Sequence, residues 1–280
     1  MAAWELGLRL RDAREEVGLN GVTAAKSLGI SQNFLSDVEH GKRRLTAEKL
    51  EEAAELFSVQ PEELQDLRAL RDETDERGWW TRYSGLFPPE LIRYLGFEWG
   101  AESIRTHENL LIPGLLQTEA YAHAIVTSDS PNTRTSEAEQ RVRTRMLRQR
   151  RLTDDEPLKL TAVISEGALR QQVGGRGVQQ EQLQHLLAVL EEHRENVEIH
   201  VIPFSAGAHG TLGQATFHIL NFTSPRLPKL AWQETVTSFG LIDSRTRVGQ
   251  YDATYTESLQ RSAGREGSMK IIHAVLREIT

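Results

Sequence analysis

Along the first part of the chain, apolar residues recur every three or four positions, the period of helices that each bury one face. Leu6, Leu10, Ala13 and Val17 share one side of a helix over Trp4 to Val17, opposite Arg9, Arg11, Glu15 and Glu16. Gly18 ends that helix and Asn20 is placed to cap the next. Thr23 to Leu28 forms a short second helix, stopped by Gly29. After Ser31, a good N-cap, Phe34, Leu35 and Val38 make a narrow apolar stripe, and Gly41 stands where a helix closes in a left-handed residue. Thr46 caps a further helix, buried through Ala53, Leu56 and Phe57, with Leu45 packing on Leu50 as a staple. Pro61 opens Glu62 to Arg77, whose Leu64, Leu67 and Leu70 face inward and whose acidic residues form a solvated face.

From Trp80 the pattern changes: aromatics cluster and prolines appear. Helices are expected over Leu91 to Arg105, Gln117 to Val126, Glu137 to Leu152 and Val178 to His193, with a polar loop at Ser128 to Ser136. Leu158 to Ile164 reads as a strand followed by a short helix to Val173. Val197, Ile199 and Val201 alternate with Glu198 and His200, the period of a half-buried strand. Strands follow near Ala215 to Phe222, Lys229 to Glu234 and Thr237 to Ile242, and helices near Arg247 to Ala263 and Glu266 to Ile279 close the chain. The expected fold is an all-α N-terminal helix-turn-helix bundle, residues 1–78, plus an α+β C-terminal domain, residues 79–280, with a small sheet and flanking helices.

Composition narrows the function. With 280 residues each domain can bury its own core. No cysteine is present, which excludes disulfides and thiolate metal sites and fits a cytoplasmic location. The N-terminus lacks the regions of a signal peptide, and no apolar run approaches the roughly 20 residues that cross a bilayer, so no membrane association is expected. A net charge of −7 argues against indiscriminate coating of nucleic acid; any contact with it must come from one small basic face.

Thr23 to Arg44 supplies such a face. Two short helices joined by a Gly29-Ile30-Ser31 turn are the sequence form of a helix-turn-helix. The second carries short amides away from its apolar stripe and is followed by Lys42-Arg43-Arg44, which suits a helix in the major groove with cations on the phosphates. Residues 5 to 60 resemble the Xre/Cro-type helix-turn-helix of repressors through Leu10, Arg14, Gly18-Leu19, Ala25, Leu28-Gly29-Ile30-Ser31, Leu35-Ser36, Val38-Glu39 and Gly41. The resemblance implies that Gln32, Asn33 and Asp37, with Ser36 as a further candidate, face base edges. It also implies that Ser31, Lys42, Arg43 and Arg44 meet phosphates, and that Arg14 and Glu39 form an internal salt bridge, the alternative being two solvated side chains. Gly21 departs from the family, which commonly has a phosphate-holding glutamine there. The remainder resembles the C-terminal domain of actinobacterial, antitoxin-like regulators, often encoded beside a small partner. That likeness rests on Ile112-Pro113-Gly114-Leu115-Leu116-Gln117-Thr118-Glu119-Ala120-Tyr121-Ala122, Ser165-Glu166-Gly167-Ala168-Leu169-Arg170 and Val173-Gly174-Gly175.

Other signals are weaker. His200, His209 and His218 are evenly spaced, but across strand and loop that spacing does not make a metal site. Ser205 and His209 lack any accompanying hydrolase motif, and Gly174-Gly175-Arg176-Gly177 lacks the ending of a phosphate loop. The cluster of Trp79, Trp80 and Trp99 reads as core or interface rather than a ligand cage. Arg141, Arg145 and Arg148 lie on one side of their helix, either as a solvated face or as a site for a negatively charged partner. The expectation is a regulator that binds a double-stranded DNA operator as a homodimer, with no catalysis and no cofactor. The competing readings are an antitoxin-like module sequestering a small partner protein and an enzyme localised by its DNA-binding half.

Overall fold

A computed structural model describes residues 1–73, 78–128, 134–234 and 239–279. The end of the helix expected to reach Arg77, the Pro131 loop and Thr237 lie outside the described residues. The chain forms two compact units, Met1–Thr81 and Arg82–Thr280.

The first unit is helical: α1 (Ala2–Glu16), α2 (Gly21–Ser27), α3 (Gln32–Glu39), α4 (Ala47–Leu56) and α5 (Pro61–Glu73). Three starts are fixed by side-chain caps. Asn20 accepts from Thr23 N–H, Ser31 from Phe34 N–H and Thr46 from Lys49 N–H. Leu6, Leu10, Ala24, Leu28, Leu35, Val38, Leu50 and Phe57 close one core, with Leu45 in the same cluster as Leu50. Val17, expected on the buried side of α1, is exposed, while Arg9, expected outside, is buried. It donates to Glu63 (2.8 Å) and Asp66 (3.1 Å), so part of the α5 acidic face is an internal ion-pair partner. α1 and α3 meet at Gly7, where a Cβ would fall 2.2 Å from Val38 O.

The second unit is a six-stranded sheet among the described residues, with helices on both faces. Its elements are α6 (Pro89–Gly100), β1 (Ser103–Glu108), α7 (Glu119–Ser128), α8 (Thr135–Gln149), β2 (Lys159–Ser165), α9 (Glu166–Arg170), α10 (Arg176–Glu192), β3 (Val197–Ile202), β4 (Phe217–Asn221), β5 (Leu230–Glu234), β6 (Phe239–Ile242), α11 (Arg245–Arg261) and α12 (Gly264–Ile279). The strand order is β3-β2-β1-β4-β5-β6; β1, β2 and β3 run parallel and the remaining pairings are antiparallel. α7 and α8 make the crossover from β1 to β2, and α9 with α10 that from β2 to β3, as parallel neighbours require.

Period-two alternation assigns the faces. Ile104, Thr106 and Glu108 share one side with Leu160, Ala162, Ile164, His218 and Trp232, and Tyr94 of α6 stacks on Trp232 there, ring centroids 4.6 Å apart. On the other side Val163, Ile202, Phe217 and Ile219 pack with Tyr255 of α11. The outer strand β3 is protected: Val201 N–H donates to Ser268 Oγ (2.7 Å) and Val201 O accepts from Ala263 N–H (2.9 Å).

One expectation fails in an informative way. The helix foreseen from Leu91 to Arg105 stops at Gly100, and its tail is the start of β1, an inner strand. The buried positions of β1 are Ile104, Thr106, His107 and Glu108. With one hydrocarbon among four, the apolar alternation that marks a strand is missing.

Candidate nucleic-acid interface

α3 is held by its apolar side. Leu35 and Val38 are buried, and Glu39, also buried, ties the helix to α1. Arg14 Nε donates to Glu39 Oε1 at 2.6 Å, Nη2 to Oε2 at 3.1 Å, and Nη1 to Leu19 O at 2.7 Å. Both side chains are under one-tenth exposed. The hydrogen bonds that Arg14 donates to Glu39 raise its pKa above the ordinary value despite the opposing effect of burial. Gly41 (φ +66°) then reverses the chain where a Cβ would fall 2.6 Å from Trp4 Cα. A residue with a side chain would push the end of α3 away from α1.

The opposite side of α3 is open. Gln32, Asn33 and Ser36 are exposed, as are Lys42, Arg43 and Arg44 in the loop that follows. Ser31 is exposed, with its Oγ accepting from Phe34 N–H at 3.1 Å. Asp37 is half-buried and is not an isolated side chain: Arg43 Nε lies 3.3 Å from its Oδ2. The Asp37 carbonyl accepts from Lys42 N–H (2.7 Å) and Arg43 N–H (3.2 Å). The Arg43 guanidinium also sits 5.6 Å above the Phe34 ring. A residue expected to read bases and one expected to meet phosphate are therefore joined, and sequence spacing gave no sign of it. At Gly21, the departure from the repressor pattern, α2 begins and Asn20 supplies the cap.

The arginines of α8 are placed differently from expectation. Arg148 forms a two-pronged pair with Glu98 (2.6 and 2.7 Å), and Tyr94 Oη donates to the same carboxylate at 2.9 Å. Burial lowers the Arg148 pKa, but the Glu98 charge and hydrogen bonds outweigh it and the net shift is upward. Arg145 donates to Gln117 Oε1 (2.8 Å), and burial brings its pKa down to about 10. Gln117 in turn donates to Ile112 O (2.7 Å), so Arg145 braces the Ile112–Gln117 turn. Arg141 lies over the Phe87 ring, 5.4 Å from its centroid. The stripe read as a solvated or partner-facing side is engaged inside its own unit.

The three histidines do not converge: His200 is on β3 beside Glu198 (3.1 Å), His209 bonds Thr211 Oγ1 (3.0 Å), and His218 faces the opposite side of the sheet from His200. No group of three His, Asp or Glu able to hold a metal occurs among the described residues. No hydrogen bond joins Ser205 to His209 among the described residues. Trp79 and Trp80 meet edge to face within the first unit, whereas Trp99 lies under Arg151 in the second. No helix of the described residues is long and apolar enough to cross a membrane.

A helical unit built around a short second helix, apolar on its inner side and rich in amides outside, defines a helix-turn-helix DNA-binding regulator. Residues 5–67 match a sequence family described as a helix-turn-helix domain. Residues 91–274, about two thirds of the chain, match one described as Domain of unknown function (DUF5753), and the chain belongs to that family. No curated protein and no solved structure matches it.

Proposed function

We propose that the protein is a cytoplasmic, sequence-specific transcriptional regulator of the Xre/Cro type that binds an operator as a homodimer and catalyses no reaction. The observation that carries this reading is the two-sidedness of α3. Leu35, Val38 and Glu39 anchor one side, while Gln32 and Asn33 leave the other side free from the first turn. Side-chain amides of this kind suit adenine N6 and N7 in the major groove, and Lys42, Arg43 and Arg44 lie where they can neutralise flanking phosphates. What supports a homodimer is that one short helix reads few bases, whereas two half-sites a helical turn apart multiply the discrimination.

Selection of bound sites from random duplex DNA with the full-length protein tests the reading. The expected result is a palindromic site with half-sites about 10 base pairs apart, centre to centre. Retention of all sequences alike, or of none, overturns it. The antitoxin-like alternative, capture of a small partner protein, loses its leading surface because Arg145 and Arg148 are committed to Gln117 and Glu98.

A further inference from the structure

The arginines of α8, read as a solvated face or as a site for a negatively charged partner, make internal contacts, yet the second unit has a cationic groove elsewhere. We propose that it binds a small dianion of the phosphate monoester class, carrying a short apolar group, between the β4–β5 loop and the first turns of α11. The site is independent of DNA reading by the first unit.

The groove encloses about 300 Å³, the lower end of the range for small-ligand sites. Its walls come from Pro225–Lys229 on one side and from Arg245, Val248, Gly249 and Asp252 of α11 on the other. Leu227 and Val248 supply apolar surface, and Arg226, Lys229 and Arg245 line the groove as cations beside the Asp252 carboxylate, Arg226 and Lys229 each already holding a partner. That carboxylate, Asp252, is already answered. Lys229 Nζ lies 2.8 Å from its Oδ2, and Arg105 binds its Oδ1. Burial would raise the Asp252 pKa, but these two cations hold it below the ordinary carboxylate value. Arg245 has no ion-pair partner among the described residues and is exposed at the groove mouth. On a chain of net charge −7, this gathering of cations is set by the fold, because its members come from two separated stretches.

Two further features fit the same ligand. α11 begins at Arg245 with no side-chain cap from Ser244 and no acidic residue in its first turn, so its amino end adds partial positive charge to the groove. Gly249 occupies the second turn of this 17-residue helix, although glycine is a poor helix former. No neighbour requires it: a Cβ built there meets nothing within 4 Å. The missing side chain keeps the groove wall low, which lets a ligand approach the helix backbone.

Titration calorimetry of the full-length protein with phenyl phosphate and with inorganic phosphate tests the proposal. Phenyl phosphate should bind with one site per chain, and more tightly than inorganic phosphate. Arg245→Glu should weaken it by about tenfold or more, one lost charge-assisted contact. Gly249→Leu should abolish binding of phenyl phosphate while leaving the melting temperature at or above that of the parent, since a good helix former replaces glycine. Arg194→Glu, a charge reversal outside the groove, should have no effect. Absence of binding to the parent protein overturns the proposal. So does equal weakening by Arg194→Glu and Arg245→Glu, or retention of binding in Gly249→Leu. A short DNA duplex that displaced phenyl phosphate would assign the groove to backbone phosphate and overturn the small-ligand reading.

Discussion

Two arginine-rich stretches of this chain meet opposite fates. Lys42-Arg43-Arg44 follows the buried end of α3 and stays at the surface, with Arg43 held at Asp37 and Phe34. α8 carries more arginines by sequence, yet Arg141, Arg145 and Arg148 turn toward Phe87, Gln117 and Glu98. The i, i+4, i+7 spacing that suggested a presented stripe is also the period of a packed one. Context decides between them. A loop after a helix end has few neighbours, whereas a crossover helix such as α8 packs on α7 and on the Gly114–Leu116 turn. Arginine tolerates that setting because its planar donors fit a carboxylate in two places and its stem fills apolar space. Density of positive charge alone is therefore a poor guide to an interface.

The comparison breaks most visibly in stability. Arg148→Ala strands the Glu98 carboxylate, which is 2 % exposed, with only Tyr94 Oη for company, and should cost roughly 3–5 kcal/mol in denaturant melts. Lys42→Ala should change stability by no more than about 0.5 kcal/mol. If the two variants melted alike, the α8 arginines would have to be solvated after all. Glu39→Ala should also be destabilising, though less than Arg148→Ala, because buried Arg14 loses two hydrogen bonds to Glu39 but keeps Leu19 O and the exposed Glu15 carboxylate. Replacing Arg14 and Glu39 together by Met and Leu should be milder than either single loss.

A pH series sharpens the contrast. Burial pushes the Glu108 carboxyl up to about 8, so the folded protein holds a proton that the unfolded chain releases near pH 4.5. The penalty is absent below that pH, grows as pH rises, and is complete above about 8. Glu108→Gln should therefore stabilise the second unit at pH 8 relative to pH 5, by a few kcal/mol on the order of magnitude. His107 works from the other side. Burial lowers its pKa to about 4, so the stability its neutral ring supports is lost as pH falls from 6.5 toward 4. A stability profile of Glu108→Gln that still declined from pH 5 to pH 8 like the parent would remove Glu108 as the cause.

The smaller effects belong to DNA binding. Gln32→Ala should cost about 1–3 kcal/mol and relax preference at one position per half-site, measured on sites selected from random DNA. An unchanged site and affinity would mean that α3 is set in a different register on the duplex. Lys42→Ala should weaken all sequences alike and lower the salt dependence by about one unit of slope. Arg43→Ala should do the same and in addition free Asp37, so a larger change in base preference than in Lys42→Ala would show the tether at work.

Much of the first unit was legible in the linear order because its determinants are local. Asn20, Ser31 and Thr46 cap helices by bonding N–H groups three residues ahead, and Gly41 closes α3 through its own backbone freedom. Those interactions span a few residues and leave a pattern that can be read without knowing the fold. Arg14 and Glu39 were found only through resemblance to repressors, since 25 residues separate them.

What tertiary structure alone decided is concentrated where polar groups are buried against distant partners. β1 went unread because Thr106 and Glu108 sit at positions that usually hold hydrocarbon, and Thr216, 108 residues away, meets the Glu108 carboxyl. Arg9 was read as a surface residue until Glu63 and Asp66 of α5 claimed it, and Arg148 until Glu98 of α6 did. Hydrophobic period reports which residues leave water, and caps report where helices begin. Neither reports the partner that makes a buried charge tolerable, because that partner is supplied by chain closure over tens to a hundred residues.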